Sequence, residues 1–505
     1  MQETPNIVYL LADDMGYGDL SCLNPHSKIK TANLDRLALE GMIFEDAHSS
    51  SAVCTPSRYS ILTGRYNWRS SLKKGVIGGF TPSLIEEGRM TVASLLKGNG
   101  YSTACIGKWH LGMDWQTRDG SSLPDDDPAV CQWGTHTTPD VDYSRPIKNS
   151  PVTKGFDYYF GISASLDMPP YAYIENDCVC GIPDRICEEK TGKRFYRRGP
   201  IAPGFRHERV TPELTDKACD YIRENAAGKV PFFLYFPLPS PHTPIMPEEF
   251  EGKSGTNPYG DFCLMVDDCV GKIMKALKES GIEEDTIVVF TSDNGCSPMA
   301  DFKELAEFGH NPSYVFRGHK ADIFEGGHRI PLIVRWPKKI KPGSRTCQTV
   351  CLSDLLATVA DITGQKLPDN AGEDSVSNLS VWLGQRREDD PIREATVHHS
   401  INGSFSIRQG RWKLEFCPDS GGWSYPIPDK DDISGMPLIQ LYDLEADVRE
   451  ATNVQDKHPE IVRKLTGLMT KYLKEGRSTP GARQRNTGPS FWPQLNWMLA
   501  DDVSE

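Results

Sequence analysis

The sequence predicts an α/β protein, in which a large, mainly parallel β-sheet is sandwiched by helices and is followed by a smaller C-terminal α+β subdomain. Continuous apolar runs of strand length, such as Asn6–Asp14 and Asp285–Asn294, are typical of buried parallel strands. Amphipathic helical patterns separate these runs, and this alternation predicts helices on both faces of the sheet. Short alternating segments near the C-terminus predict a second, antiparallel sheet.

The other elements of the large sheet follow from the same two patterns. Three further buried strands are predicted, at Ser102–Ile106, Pro231–Phe236 and Ile330–Trp336. Four helices are predicted between the strands, at Ala32–Glu40, Thr91–Asn99, Pro212–Asn225 and Phe262–Ser280. In sheets of this kind, ligands bind at the carboxyl ends of the strands.

Two stretches interrupt this alternation. The segment Trp115–Arg209 is rich in Pro, Gly, Asp and Tyr and is weakly periodic, so we predict long loops that could carry specificity. The charged run Gln385–Pro391 (QRREDDP) predicts a boundary between a large domain, residues 1–390, and a C-terminal subdomain, residues 391–505. Short strands and one helix are predicted beyond it, at Ser404–Gln409, Trp412–Phe416, Leu438–Leu444 and Pro459–Glu475.

Composition excludes some classes of partner. The 505 residues carry a net charge of −13, which argues against nucleic acid and against an anionic membrane surface. No apolar run approaches the ~18 residues that a membrane-spanning helix needs. The first strand begins at about Asn6, which leaves no room for a leader. We therefore expect a trimmed leader and a periplasmic or secreted protein, with a cytoplasmic location less favoured.

The cysteine content is higher than is usual in a cytosolic enzyme, with fourteen cysteines in all. Cys178, Cys180 and Cys187 have the spacing C-x-C-x6-C, which lacks a fourth zinc ligand. A disulfide or loop thiols are therefore favoured over a zinc site.

The segment Cys54-Thr55-Pro56-Ser57-Arg58 carries helix-start signals beside a thiol. Thr55 can cap a helix and Pro56 suits its first turn, so Cys54 is predicted at a helix N-terminus. Free N–H groups and the helix dipole favour an anion there. Arg58 would project from the same face as Cys54. Alone, this short motif also fits a buried cysteine beside a solvated arginine.

Two acidic pairs follow predicted strands. Asp13 and Asp14 end one strand, and Asp293 and Asn294 end another. If these strands are adjacent and parallel, all four side chains meet at one point. A set of oxygen ligands without Cys or His favours a hard cation, Ca²⁺ or Mg²⁺. Either pair alone could instead cap a helix or form a turn.

Four cationic or imidazole side chains stand at similar positions. Lys108 and His110 are two residues apart in GKWH, so in an extended segment they face the same way. His242 lies in the proline-flanked loop PSPHTP, directly after a predicted strand. Lys320 lies in RGHK, ahead of EGG and another predicted strand. Singly, each residue also fits a surface or packing role.

The ordered set of these motifs over Asn6–Asp361 resembles the type I, formylglycine-dependent sulfatases of the alkaline phosphatase superfamily, including arylsulfatases and carbohydrate sulfatases. The resemblance implies an alkaline phosphatase-like fold. It implies a calcium site, with magnesium less favoured, made of Asp13, Asp14, Cys54, Asp293 and Asn294. It implies a sulfate pocket of Arg58, Lys108, His110, His242 and Lys320. A weaker match in GISASLD implies a pocket serine at Ser165.

The same resemblance implies that a formylglycine-generating or radical maturation enzyme oxidises Cys54 to formylglycine. A serine nucleophile would become a sulfate ester as stable as the substrate. A hydrated aldehyde avoids this, because one hydroxyl attacks sulfur and deprotonation of the other expels sulfate. Lys108 and Lys320 would hold sulfate oxygens, His242 would protonate the leaving alkoxide, and His110 would take the triggering proton. The two histidines can be exchanged in this scheme.

A sugar substrate is favoured by the long loops rich in Tyr, Trp and Asp, and we expect a sulfated glycan with a terminal galactose or N-acetylgalactosamine. Candidates for lining its site are Trp115, Trp133, His136, Asp167 and Tyr171. The sequence immediately before Lys320 departs from its relatives, so Arg317 and His319 could share its task.

Two alternatives remain open at this point. Relatives with a similar cysteine motif cleave phosphorus esters, which makes a phosphonate or phosphodiester hydrolase the nearest rival. A non-catalytic binder of sulfated glycans is the alternative from another class. The sequence does not predict the oligomeric state.

Overall fold

The computed structural model describes residues 4–120 and 140–498. Within these ranges the strands are β1 Asn6–Asp13, β2 Met42–Phe44, β3 Ala47–His48, β4 Ser102–Lys108, β5 Tyr158–Ile162, β6 Tyr173–Glu175, β7 Cys178–Cys180, β8 Arg185–Cys187, β9 Gly199–Ile201, β10 Phe232–Pro241, β11 Thr286–Ser292, β12 Leu332–Arg335, β13 Ser344–Thr346, β14 Val350–Cys351, β15 Thr396–His399, β16 Phe405–Gln409, β17 Trp412–Glu415 and β18 Gln440–Asp443. The α-helices are α1 Ala32–Glu40, α2 Cys54–Thr63, α3 Val92–Gly98, α4 Val210–Ala226, α5 Pro258–Glu279, α6 Phe302–Glu307, α7 Glu325–His328, α8 Leu355–Thr363, α9 Leu379–Trp382 and α10 Pro459–Glu475.

In the part of the chain that the structure describes, one sheet has ten strands in the order β13-β2-β12-β11-β1-β10-β4-β5-β6-β7. Its centre, β11-β1-β10-β4-β5, is parallel throughout. The strands β12, β6 and β7 pair antiparallel to their neighbours. The prediction of a large, mainly parallel sheet is therefore confirmed.

The two faces of the sheet are buried against different helices. Side chains alternate along β1, so that Val8 and Leu10 join one hydrophobic core and Ile7 and Tyr9 join the other. Helices α1, α4 and α5 cover the first core, whereas α2, α3 and α8 cover the second. Because both faces are apolar, the central strands appear in the sequence as continuous hydrophobic runs.

The predicted small C-terminal sheet is also confirmed, with the order β15-β16-β17-β18 and antiparallel pairing. Helix α10 packs on it through Leu465 and Met469, which share a core with Phe405 and Leu414. The strand β15 was not predicted. This sheet begins with β15 at Thr396, five residues after the charged run Gln385–Pro391 ends.

The prediction that Trp115–Arg209 forms only long loops is wrong. This stretch contains β5, β6 and β7, which extend the large sheet, and the separate pair β8 and β9. The strands are only three to five residues long and are rich in Tyr and Cys, so they lack the apolar run that marks β1 or β11. Every cysteine in the two described ranges, including Cys178, Cys180 and Cys187, is a free thiol. Over the same ranges, each helix is too short or too polar to span a bilayer.

The central strands β11, β1, β10 and β4 all end at the same edge of the sheet because they are parallel neighbours. The residues at or just after these ends are Asp293, Asp13, His242 and Lys108. Close backbone contact holds β4 in this arrangement. Gly107 has a φ of +139°, and a Cβ there would lie 2.0 Å from the carbonyl oxygen of Pro237 on β10.

We predict that Gly107→Ala destabilises the protein by about 1–3 kcal/mol, because the added methyl group forces β4 away from β10. Activity should fall further than stability, since the next residue is Lys108. Urea unfolding measures the first effect. The control is Gly98→Ala, at the end of α3, where an added Cβ has no atom within 4 Å. A Gly107→Ala protein as stable as the Gly98→Ala protein would contradict the prediction.

Candidate active site

A buried cluster of charges lies at the carboxyl edge of the sheet. Arg58 from α2 donates to the Asp293 carboxylate from Nε at 3.0 Å and from Nη2 at 2.7 Å. The same guanidinium donates from Nη1 to the Lys108 carbonyl oxygen at 3.0 Å. Lys108 Nζ donates to Asp13 Oδ2 at 2.5 Å. These four side chains are fully buried, so they stabilise one another and together fix the ends of β1, β4 and β11.

The oxygen atoms in this cluster fit a cation. Asp13 Oδ1 and Asn294 Oδ1 are buried and have no hydrogen-bond partner, which would be costly unless a ligand contacts them. Asn294 Nδ2 donates to Asp14 Oδ1 at 2.7 Å, and the Asp14 backbone N–H donates to Asp293 Oδ1 at 3.2 Å. Asp14 itself has a φ of 66°, an uncommon conformation that turns the chain sharply at the end of β1. Four oxygen-bearing side chains without a thiolate suit a hard divalent ion.

Cys54 is the first residue of α2, as the sequence predicts, but the cap differs. Val53 is the N-cap residue and makes no side-chain cap, whereas Thr55 Oγ1 accepts a weak hydrogen bond from the Ile77 N–H at 3.4 Å. Burial raises the pKa of the Cys54 thiol to about 11, while the charges of Lys108 and Lys320 act to lower it. The thiol is thus protonated near neutral pH and is a poor nucleophile.

Lys320 reaches the same cluster from the loop before α7. Its Nζ donates to Asp14 Oδ2 at 2.7 Å, and its backbone N–H donates to the Cys296 carbonyl oxygen at 3.0 Å. Arg317 instead points to the C-terminal sheet, where it donates to the Glu450 carbonyl oxygen at 2.7 Å. His319 Nδ1 donates to the Lys320 carbonyl oxygen at 2.9 Å. Of these three residues, Lys320 contacts a strand-end carboxylate, whereas Arg317 and His319 bond to backbone carbonyl oxygens.

His242 lies directly after β10 and is oriented by the chain beside it. Its Nδ1–H donates to the Thr243 carbonyl oxygen at 2.7 Å, which leaves Nε2 unprotonated in the neutral ring. That Nε2 lies 3.6 Å from Asp14 Oδ2. Ser165 Oγ connects the two sides of the site, at 3.1 Å from Lys108 Nζ and 3.3 Å from His242 Nδ1.

His110 is fixed in the opposite tautomer. Its Nε2–H donates to the Ile77 carbonyl oxygen at 2.7 Å, and its buried Nδ1 has no partner. Burial and the positive charges of Lys108 and Arg58 hold the pKa of His110 well below its usual value. The imidazole is therefore neutral, with a lone pair available on Nδ1. Its φ of 57° is another uncommon backbone conformation next to a strand end.

Asp167 is held by an arginine that the sequence did not single out. One oxygen of its carboxylate pairs with Arg197, while its buried Oδ1 has no partner. Burial alone would raise the pKa of Asp167, but Arg197 and His242 lower it to about 2. Tyr171 is fully buried and donates to the carbonyl oxygens of Arg197 at 2.6 Å and Asp167 at 3.1 Å, so it supports Asp167 from behind.

Trp115, another predicted sugar-lining residue, packs in the core. Trp115 is only 6% exposed, packs against Phe80 and Tyr143, and donates from Nε1 to the Gly79 carbonyl oxygen at 2.9 Å. These contacts are those of a core residue. The sequence around Trp115 has no periodic pattern that would have predicted its burial. Trp133 and His136 lie outside the described residues.

Sequence reasoning missed the hydrophobic surroundings of the thiol. We call this group the apolar wall; it consists of Val53, Cys54, Val76, Ala164, Met168, Ala321 and Ile401, with half-buried Trp423 packed against it. Ile401 and Trp423 come from the C-terminal part of the chain. No sequence signal could identify them, because their position depends on how β15 and its following loop dock on α2.

Comparisons with known proteins identify the family. A family model described as Sulfatase matches residues 5–365. An N-acetylgalactosamine-6-O-sulfatase of Bacteroides thetaiotaomicron is 33% identical, and the match covers 92% of this chain and 93% of that protein. The Mus musculus N-acetylgalactosamine-6-sulfatase is 31% identical, with coverage of 91% and 79%. A solved structure from work on the metabolism of multiple glycosaminoglycans by Bacteroides thetaiotaomicron has a TM-score of 0.78 at 33% identity and covers 93% of this chain and 99% of that chain.

The fold and the charged strand-end site define a hydrolase with the alkaline phosphatase-like fold. Within that class, the chain belongs to the sulfatase family, and it is a sulfuric ester hydrolase. The family resemblance found in the sequence is thereby confirmed.

We predict that Asp293 makes the metal-free protein less stable as the pH rises. Burial and the neighbouring Asp13 carboxylate raise the pKa of Asp293 to about 7. Because this folded-state pKa lies above the unfolded value, the contribution of Asp293 to stability is complete at low pH and is lost as the pH rises through about 7. Asp293→Asn cannot ionise, so between pH 5 and pH 8 its melting temperature in chelator should rise relative to wild type. Asp456→Asn, at an exposed position, is the control; a constant difference between wild type and Asp293→Asn would contradict the prediction.

Proposed function

We propose that this sulfatase removes O-sulfate from carbohydrates, with N-acetylgalactosamine or galactose 6-sulfate units as its substrates. The observation that carries the proposal is the buried cluster at the carboxyl edge of the sheet, where Arg58, four residues after Cys54 on α2, contacts the Asp293 carboxylate and the Lys108 carbonyl oxygen. Two relatives that align with more than nine-tenths of this chain are named as N-acetylgalactosamine sulfatases, and these names support the choice of sugar.

Cys54 is proposed to act as formylglycine, because its buried and protonated thiol is poorly suited to attack. When formed, the hydrated aldehyde supplies a hydroxyl nucleophile and a route to release sulfate. The side chain is only 3% exposed in the folded protein. The partner that oxidises it, a formylglycine-generating or radical maturation enzyme, would therefore act before the chain has folded.

Calcium is the proposed metal, held by Asp13, Asp14, Asp293, Asn294 and the oxidised residue 54. When bound, it would supply positive charge that offsets the charge of the nucleophile and of the sulfate group. The partnerless oxygens of Asp13 and Asn294 support the site. Magnesium is less favoured, because it usually keeps several waters and uses only one or two protein carboxylates.

The buried cations are proposed to hold the sulfate group. Lys108 and Lys320 each pair with a carboxylate that also belongs to the proposed metal set, Asp13 and Asp14 respectively. Arg58 keeps its two hydrogen bonds to Asp293 Oδ2, so it orients that carboxylate and adds positive charge near residue 54. As point charges on flexible stems, the lysines can turn from the carboxylates to sulfate oxygens.

The two histidines are proposed to move protons in different steps. His242 carries its fixed proton on Nδ1, so a second proton on Nε2 could pass to the leaving sugar oxygen. His110 offers the lone pair of Nδ1 in a neutral ring and could take the proton whose loss releases sulfate. Asp167 Oδ1 is proposed to accept a hydrogen bond from a sugar hydroxyl, since it is buried without a partner.

The proposed location is the periplasm or the outside of the cell, where a sulfated glycan would be encountered. The carbohydrate-sulfatase names of the relatives support this choice. This location is consistent with a glycan substrate, and the proposed reaction requires no nucleic acid partner.

We predict that protein from its native host carries formylglycine at residue 54 and cleaves 4-nitrophenyl sulfate faster than 4-nitrophenyl phosphate. Mass spectrometry of the peptide that contains residue 54 and paired rate measurements test this. Cys54→Ala should lose activity on both esters, and chelation should lower the rate until calcium is restored. Faster phosphate hydrolysis would favour the phosphodiester or phosphonate alternative, and unmodified, inactive protein from the native host would favour a glycan binder.

We predict that the histidine variants separate by leaving group. His242→Gln should lower kcat for a sugar sulfate by about 10²–10⁴-fold, but much less for 4-nitrophenyl sulfate, because nitrophenolate leaves without a proton. His110→Gln should slow both substrates, since sulfate release is common to them. Steady-state rates on the two substrates provide the measurement. Equal losses on both substrates in His242→Gln would contradict its role as the acid.

A further inference from the structure

The C-terminal part of the chain is joined to the active site through its backbone. The Ala52 N–H donates to the His399 carbonyl oxygen at 2.9 Å, and Ser51 Oγ donates to the same oxygen at 3.0 Å. The Ala321 N–H donates to the Ala52 carbonyl oxygen at 2.8 Å, and the Ile401 N–H donates to the Ala321 carbonyl oxygen at 3.0 Å. The segments beside Cys54 and Lys320 therefore share one hydrogen-bonded layer with residues 399–401.

The loop that follows is held against this layer by Asp322. Its Oδ1 accepts from the N–H groups of Trp423 at 2.7 Å and Ser424 at 3.0 Å, and its Oδ2 accepts from the His319 N–H at 2.9 Å. A Cβ on Gly422 would lie 2.5 Å from the backbone of Ala321, so only glycine permits this close approach. The backbone of Trp423 is thus bonded to Asp322, which lies two residues after Lys320 in the sequence.

The indole of Trp423 packs against the apolar wall and remains half-buried. It brings an aromatic side chain from the C-terminal part of the chain to the apolar wall. Two members of the wall, Ala164 and Met168, flank Ser165 and Asp167 in the sequence. The apolar wall thus joins Trp423 to the segment whose carboxylate oxygen, Asp167 Oδ1, is buried without a hydrogen-bond partner.

An aromatic ring on the apolar wall and a carboxylate oxygen beside the residues of that wall match the two kinds of surface on a sugar. A pyranose presents C–H groups on its faces, which pack on an aromatic ring, and hydroxyl groups at its edge, which bond to carboxylates. We propose that Trp423 is the stacking surface for the pyranose that carries the sulfate ester, and that it determines the preference for sugar sulfates. This inference rests on the proposed carbohydrate substrate.

The test compares Trp423→Ala, Trp423→Leu and Trp423→Phe with wild type on N-acetylgalactosamine 6-sulfate. The Ala and Leu variants should raise KM roughly tenfold, and Phe should raise it less, because a smaller aromatic ring still packs on the sugar. Inorganic sulfate occupies the anion pocket without a sugar, so its inhibition constant should not change. Trp412→Ala is the matched control, because Trp412 is a half-buried tryptophan of β17 that packs with His458.

The outcomes are distinct. An unchanged KM for the sugar sulfate in Trp423→Ala and Trp423→Leu overturns the inference, and so does an equal weakening of sulfate inhibition, which would indicate a distorted anion pocket. If Trp423→Ala does not fold, the KM values of Trp423→Leu and Trp423→Phe still show whether the sugar needs an aromatic ring or only an apolar side chain at this position. A wild-type enzyme that cleaves 4-nitrophenyl sulfate but no sugar sulfate would instead overturn the proposed carbohydrate substrate.

Discussion

The whole active site depends on the balance of buried charges at the carboxyl edge of the sheet. Three carboxylates face three cations, and all six side chains are at most 5% exposed: Asp13, Asp14, Asp293, Arg58, Lys108 and Lys320. Removing one partner from such a set leaves an uncompensated charge, which typically costs about 3–5 kcal/mol. With all three carboxylates ionised the set is neutral, and a divalent cation together with an anionic sulfate group would keep it close to neutral. Metal and substrate are therefore electrostatically matched to one another in the proposed function.

A second buried network couples this site to the C-terminal sheet. Lys413 of β17 donates to Glu450 at 2.7 Å and to the Ile323 carbonyl oxygen at 2.9 Å. Glu450 in turn accepts from the Glu325 N–H at 2.8 Å, at the start of α7. Since α7 follows the loop of Lys320, the small sheet fixes the position of a cation that contacts Asp14. The C-terminal sheet is thus part of the active-site support as well as a packing element.

Local sequence patterns identified the strongly periodic elements. The helices α1 and α10 have the predicted bounds, and β1 and β11 end next to the acidic pairs as expected. Their signals are local: a run of apolar residues sets a buried strand, and polar residues at its end belong to the edge of the sheet. The neighbourhood of Asp13 and Asp293 then follows from strand adjacency.

What the sequence could not indicate depends on long-range docking. Trp115 and Trp423 are both tryptophans in irregular segments, yet the first is enclosed in the core and the second packs on the apolar wall. Arg197 is one of many arginines until the fold brings it to Asp167. The short strands β5–β7 were missed because they are stabilised by their neighbours in the sheet and carry little periodicity of their own.

The hydrogen bond between Ser51 and His399 spans 348 positions of the chain. At a synthesis rate of about 5–20 residues per second, a ribosome needs roughly 20–70 s to make that interval. During this time the segment around Cys54 has emerged without the strand that later closes over it. The distant position of its last neighbours thus gives the nascent polypeptide a period in which another protein can reach the thiol, and translation speed sets how long that period lasts.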